Sequence, residues 1–157
     1  MSDRLWQFAL RWGFQAARMW WRVRRPAHRG ALVAVWVNGQ VLCVKQSYRE
    51  RIGWPGGGVH RGEDPRNAAQ RELREELGLE LPLEMLRHAD CITGEWDFRR
   101  DTVDIFEVVL DVEPKLTIDN REIVAAWFVS PEELLGSRPA PFIEAYLRSH
   151  ACAPAMA

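Results

Sequence analysis

The sequence predicts an α/β (α+β) fold, one mixed domain preceded by an extra N-terminal helix. Three observations lead there. Apolar residues recur at spacings of three and four near the N-terminus, after Asp64 and before the C-terminus, which is the period of helices. Between these segments lie short β-branched runs, two of them flanking an Asn-Gly pair. The length of 157 residues is that of one domain, and with 47% hydrophobic and 27% charged residues it can bury a core without staples. The expected boundaries are an amphipathic helix over 1–26, the domain over 27–150 and a disordered tail over 151–157.

Taken in order, residues 3–24 read as a helix, because Leu5, Phe8, Trp12, Ala16, Met19 and Val23 share one face. Arg4, Arg11, Arg18, Arg22 and Arg25 form a basic stripe beside it, and four of the eight tryptophans lie in this segment. Two readings stay open: packing on the domain or on a second subunit as a homodimer, or peripheral contact with a membrane surface. Pro26 stops the helix. Ala31–Val37 and Val41–Lys45 read as a hairpin around Asn38-Gly39. A polar loop, Ser47–Gly53, leads to Trp54-Pro55-Gly56-Gly57-Gly58, which is too glycine-rich for regular structure. Asp64 and Pro65 open the next helix as N-cap and first residue, and Gly78 closes it. Strands are expected at Leu86–Thr93, Thr102–Val112 and Ile123–Val129, with a polar loop from Gly94 to Asp101. Ser130-Pro131-Glu132-Glu133 reads as a capping box, and Pro141–Ser149 as a last helix.

The net charge of -1 conceals an asymmetry: seven arginines precede Ala31 against Asp3 alone, so the remainder is acidic. An acidic body repels nucleic acid, and none is expected as a partner. Three cysteines, Cys43, Cys91 and Cys152, without a CxxC pair, suggest neither a disulfide framework nor a structural zinc site, so a reducing, cytoplasmic location is expected. No apolar run has the length of a spanning helix, and the N-terminus lacks the pattern of a secretory signal.

Chemistry-bearing residues concentrate between Gly57 and Leu79. Glu72, Glu75 and Glu76 fall on one helix face at i, i+3 and i+4. In a bare helix each like-charge pair costs roughly 0.2–0.5 kcal/mol, so a compensating cation is expected. An all-oxygen donor set suits Mg²⁺, with Mn²⁺ as a substitute, and argues against zinc. A solvated acidic face is the ordinary alternative. Against it stand Arg71, placed to orient Glu72, the further acid Glu63, and a glycine turn that brings backbone groups close to a metal or phosphate.

These residues resemble a complete Nudix box: Gly57, five residues, Glu63, seven residues, then Arg71-Glu72-Leu73-Arg74-Glu75-Glu76-Leu77-Gly78-Leu79. Trp54-Pro55-Gly56-Gly57 resembles the aromatic-Pro-Gly-Gly run that precedes the box in that family. The resemblance implies an α/β/α sandwich with a mixed β-sheet, and hydrolysis of the pyrophosphate bond of a nucleoside diphosphate linked to another group, a small-molecule nucleotide substrate. It implies Glu72, Glu75, Glu76 and the Gly56 carbonyl as metal ligands, Arg71 as the residue that holds Glu72, and Glu63 as support. The general base is then a box glutamate or a loop acid, with Glu122 the leading loop candidate and Glu95, Asp97, Asp101 and Asp104 its rivals. Trp54, Trp96, Phe98 and Tyr48 are candidates to stack on a base, and Arg49, Arg51, Arg99 and Arg100 to grip phosphates. A non-catalytic Nudix-like binding module and a membrane-peripheral protein are the competing functions. Such modules usually lose a box glutamate, and this chain keeps all three.

Overall fold

The computed structural model describes residues 3–118 and 120–150. The expected tail at 151–157 lies outside the described residues.

The elements run α1 (Asp3–Arg24), β1 (Ala27–Val37), β2 (Gln40–Gln46), β3 (Gly56–Gly58), α2 (Pro65–Leu77), a 3-10 turn (Leu83–Met85), β4 (Arg87–Trp96), β5 (Arg99–Leu110), β6 (Ile123–Val129), α3 (Pro131–Gly136) and α4 (Pro141–Ser149). The sheet order is β4-β5-β1-β2-β6, with β3 paired to β1. β1 runs parallel to β5, and the other pairs are antiparallel. The sheet is therefore mixed, as expected.

Alternation along β1 sorts its side chains into two cores. Ala31, Val33 and Val35 meet Ala68, Ala69, Leu73 and Leu77 of α2 on one face. Leu32, Ala34 and Trp36 meet Leu134, Ile143, Tyr146 and Leu147 of α3 and α4 on the other. Burial on both faces is why β1 reads as a continuous apolar run. The layers are helix, sheet, helix.

Two local expectations are corrected. The glycine run is not irregular: Gly56–Gly58 forms a short strand on β1, with Gly56 opposite Leu32. Only glycine fits at the first position, where φ is 137° and an added Cβ would lie 2.2 Å from the Ala31 carbonyl oxygen. The segment from Gly94 to Asp101 is not a loop. β4 and β5 continue into it and turn at Asp97-Phe98, both with positive φ. Neither residue is glycine, so the sequence carried no turn signal there. At the other hairpin Asn38 and Gly39 adopt positive φ, as their types suggest.

Candidate active site

α2 is fixed at both ends by its own sequence. Asp64 accepts the Arg66 amide at 2.8 Å, and Gly78 adopts the left-handed conformation, passing its N–H to the Arg74 carbonyl. The same inward face that buries Ala69, Leu73 and Leu77 also carries Glu76 under the sheet, 7% exposed. Glu76 accepts the Gly56 N–H at 2.9 Å. Burial, with Glu72 and Glu122 adding negative charge, pushes its carboxyl up to about 8 against the Gly56 N–H and Gln46.

Arg71 is the hub of the helix surface. Its Nε donates to Glu63 at 3.0 Å, its Nη1 to Glu72 at 2.6 Å and Glu75 at 3.2 Å, and its Nη2 to the Gly58 carbonyl at 3.0 Å. One guanidinium thus ties three carboxylates to the β3 backbone. Hydrogen bonds from Arg71 and from the His60 amide hold Glu63 down to about 2. Burial raises Glu72 despite Arg71, and the charges of Glu75 and Glu122 add to the rise. Glu72 lies so close under β3 that a Cβ on Gly57 would stand 2.6 Å from its carboxylate. Glu75 is half exposed and turned toward Arg71.

Glu122 enters from the segment before β6 and accepts the Tyr48 hydroxyl at 2.6 Å. Its charge helps to raise Glu72 and Glu76, and all three line one cleft of about 1080 Å³. Of the rivals, Glu95, Asp97 and Asp101 line the same cleft, each beside a basic partner, and only Asp104 does not. Asp104 is bound by Arg29 at 2.8 Å and His88 at 3.2 Å. Asp101 is buried between His28 and Arg99, Asp97 pairs with Arg18, and Glu95 lies near Arg100.

Other expectations fare unevenly. Trp54 is 2% exposed and stands edge-on to Tyr146 in the α4-side core. Its faces are covered, which corrects its assignment as a stacking surface. Trp96 reaches the cleft edge-on to Phe142, while Phe98 sits under Arg22. Arg49 and Arg51 both line the cleft; Arg51 is tied to the Pro139 carbonyl at 3.1 Å, and Arg49 lies over Phe14 and Tyr48. Sequence reasoning missed the contribution of α1, whose Arg11, Phe14, Gln15 and Arg18 form part of the cleft wall. The only hint was the basic stripe, which is also what a solvated face looks like.

Among the described residues no three acidic, histidine or cysteine side chains converge on one ion-sized point. The carboxylates instead flank an open cleft. That suits Mg²⁺, which keeps several waters and takes one or two carboxylates plus substrate phosphates rather than a closed cage. Two partly or fully buried acids with raised affinity for protons, Glu72 and Glu76, are the feature a hard cation would relieve.

A mixed sheet between helices, with an arginine-locked acidic helix under a glycine strand and an open cleft beside it, defines a carboxylate-bearing α/β/α sandwich protein. The chain belongs to the Nudix family: the NUDIX domain matches residues 26–148. It is 32% identical over 105 residues to an uncharacterized Nudix hydrolase of Listeria innocua, covering 62% of this chain and 59% of that protein. The chain therefore spans somewhat over half the length of that relative. In fold it is similar to a C. elegans Ap4A hydrolase, with TM-score 0.67 and 19% identity over 79% of this chain and 95% of the other. It is also similar to a bifunctional NMN adenylyltransferase/ADP ribose pyrophosphatase of Francisella tularensis solved with AMP and a Mn ion. That match has TM-score 0.70 and 18% identity over 87% of this chain and 45% of the other.

Proposed function

We propose that this protein is a divalent-metal-dependent pyrophosphohydrolase acting on a nucleoside diphosphate linked to a second group, such as a nucleotide sugar, a dinucleotide or a nucleoside triphosphate. The observation that carries the reading is the coupled set of Glu72, Glu76 and Glu122 on one cleft, with Arg71 fixing the helix surface. Membership of the Nudix family supports it, as does the phosphoanhydride common to Ap4A and ADP ribose, after which two of the similar structures are named.

Glu72, Glu75, Glu76 and the Gly56 carbonyl would hold Mg²⁺ or Mn²⁺. When bound, the ion neutralises phosphate oxygens and lowers the pKa of a coordinated water. Arg71 fixes the rotamers of Glu72 and Glu75, so no reorganisation is required when substrate arrives. Glu122, oriented by Tyr48, takes the proton of the attacking water as its oxygen joins phosphorus. The bridging P–O bond breaks, and the leaving phosphate carries away the electron pair. Arg49, stacked on Phe14 and Tyr48, presents N–H groups to the anionic far end of the substrate, with Arg18 and Arg99 on the same wall. Arg51 supports the same cleft wall through its tether to Pro139. A reducing cytoplasmic setting fits the free thiols Cys43 and Cys91.

The test is release of mononucleotide or phosphate from a panel of nucleotide sugars, dinucleotides, nucleoside triphosphates and coenzyme A. Glu76→Gln preserves the acceptor for the Gly56 N–H, so the fold should survive while metal-dependent turnover falls by about 100-fold or more. Full turnover in a correctly folded Glu76→Gln variant would refute the assignment of this helix as the catalytic site.

A further inference from the structure

The Nudix match leaves α1 outside it, and α1 has two unlike faces. The inner face is fastened along the cleft rim. Gln7 donates to the Asn120 carbonyl at 2.7 Å, Arg11 to the Ser47 carbonyl at 2.8 Å, Phe14 packs on Tyr48, Arg18 meets Asp97 at 3.4 Å, and Trp21 lies under Arg99. These contacts settle which way the helix is turned: it packs on the domain, but through Gln7, Arg11, Phe14, Arg18 and Trp21 and not through the apolar stripe of Leu5, Phe8, Trp12, Met19 and Val23.

The outer face is apolar and bare. Leu5, Phe8, Trp12, Met19 and Val23 are exposed, the last three at 64%, 71% and 81%, with Trp6 and Trp20 beside them. Seven large hydrophobic side chains on one short helix are far more than scattered surface residues, and such a patch marks an interaction site. Exposed Arg4, Arg22 and Arg24 rim it, and Asp3 is the single acid of the helix.

We propose that the outer face of α1 docks on an anionic lipid surface, with the aromatic and aliphatic side chains in the headgroup boundary and the arginines on lipid phosphates. Charge selects this occupant. A second copy would set Arg4, Arg22 and Arg24 of one outer face against the same three of the other, with only Asp3, itself paired with Arg121 at 3.2 Å, to offset them. An anionic bilayer presents the opposite sign, and tryptophan beside arginine is the composition of helices that lie in the interface. No helix among the described residues is long and apolar enough to cross a bilayer, so the contact is parallel to the surface. Because Arg11, Phe14 and Arg18 belong to the cleft wall, docking would hold the cleft mouth beside the lipid.

The experiment is co-flotation of the full chain with phosphatidylcholine vesicles, with and without phosphatidylglycerol, read also by the tryptophan emission shift. Flotation is expected only with the anionic vesicles and should weaken with salt. Trp12→Ser combined with Met19→Ser should abolish it, while circular dichroism and any hydrolysis of soluble substrate stay unchanged, since neither residue touches the cleft. Arg4→Gln and Arg24→Gln should each weaken binding by ~5-fold, the effect of roughly one charge near an anionic leaflet. Failure of the folded full chain to float with anionic vesicles overturns the proposal. So does a dimer in light scattering that Trp12→Ser and Met19→Ser dissolve, which would identify a second copy as the occupant. Equal binding to neutral vesicles would overturn the role of the arginines.

Discussion

Arg71 concentrates much of the site's electrostatics in one side chain. Removing it leaves Glu63, Glu72 and Glu75 without their common donor, beside an unpaired Gly58 carbonyl. If Glu72 and Glu75 hold the metal as proposed, Arg71→Ala should lower kcat by about 10–100-fold, the usual cost of losing a residue that orients metal ligands. Arg71→Lys should recover little, because an ammonium cannot reproduce the planar fork that spans carboxylates and carbonyl together; kcat and KM measured for both variants check this. Glu63 gives a second, pH-dependent outcome. Its carboxyl is held at about 2 against an ordinary 4.5, so the folded state binds this proton more weakly than the unfolded chain does. The resulting stabilisation is complete above 4.5 and disappears as pH falls to about 2. Denaturant midpoints of wild type and Glu63→Gln should therefore converge as pH is lowered through that window.

At the scale of elements, β3 and α2 form one device. The strand places glycines where any side chain would collide with β1 or with Glu72, so the acidic helix can lie directly under backbone. Gly56→Ala would bring a Cβ to 2.2 Å from the Ala31 oxygen and 2.8 Å from the Leu32 Cα. With a positive φ added, the loss should be on the order of 3 kcal/mol or more, and β3 should detach from β1. Thermal unfolding, with amide exchange at Leu32 and Gly56, would report both. A variant that kept wild-type stability would show that the turn can shift at little cost.

Across the whole molecule, the sheet, α2 and the segment before β6 bring acids from distant parts of the chain into a single cleft, and on the proposed reading cation binding would relieve their mutual repulsion. Glu76, with its carboxyl at about 8 instead of 4.5, holds its proton more tightly when folded. Its effect is therefore a loss of stability that grows as pH rises from 4.5 and levels off above about 8. Magnesium competes with that proton, so the rise in Tm on adding metal should be small near pH 5 and largest near pH 8, within about a unit. Chelation should reverse it. A metal-induced shift independent of pH would mean that the buried carboxyl does not bind the ion.

The helix caps at Asp64, Gly78 and Ser130, the Asn38-Gly39 hairpin and the apolar run of β1 were legible because each depends on neighbours within a few residues. The box was legible for the same reason: Glu63, Arg71, Glu72, Glu75 and Glu76 occupy one turn-and-helix unit whose spacing fixes their faces. Sequence could not decide that Trp54 is enclosed by Tyr146, that Asp104 leaves the cleft while Glu122 joins it, or that α1 turns Arg11, Arg18 and Trp21 toward the site and Trp12, Trp20 and Met19 outward. Those outcomes depend on pairs separated by tens of residues, such as Tyr48 with Glu122 and Arg11 with Ser47. Spacing along a chain sets which side of an element a residue occupies, but only packing of one element on another sets what that side meets.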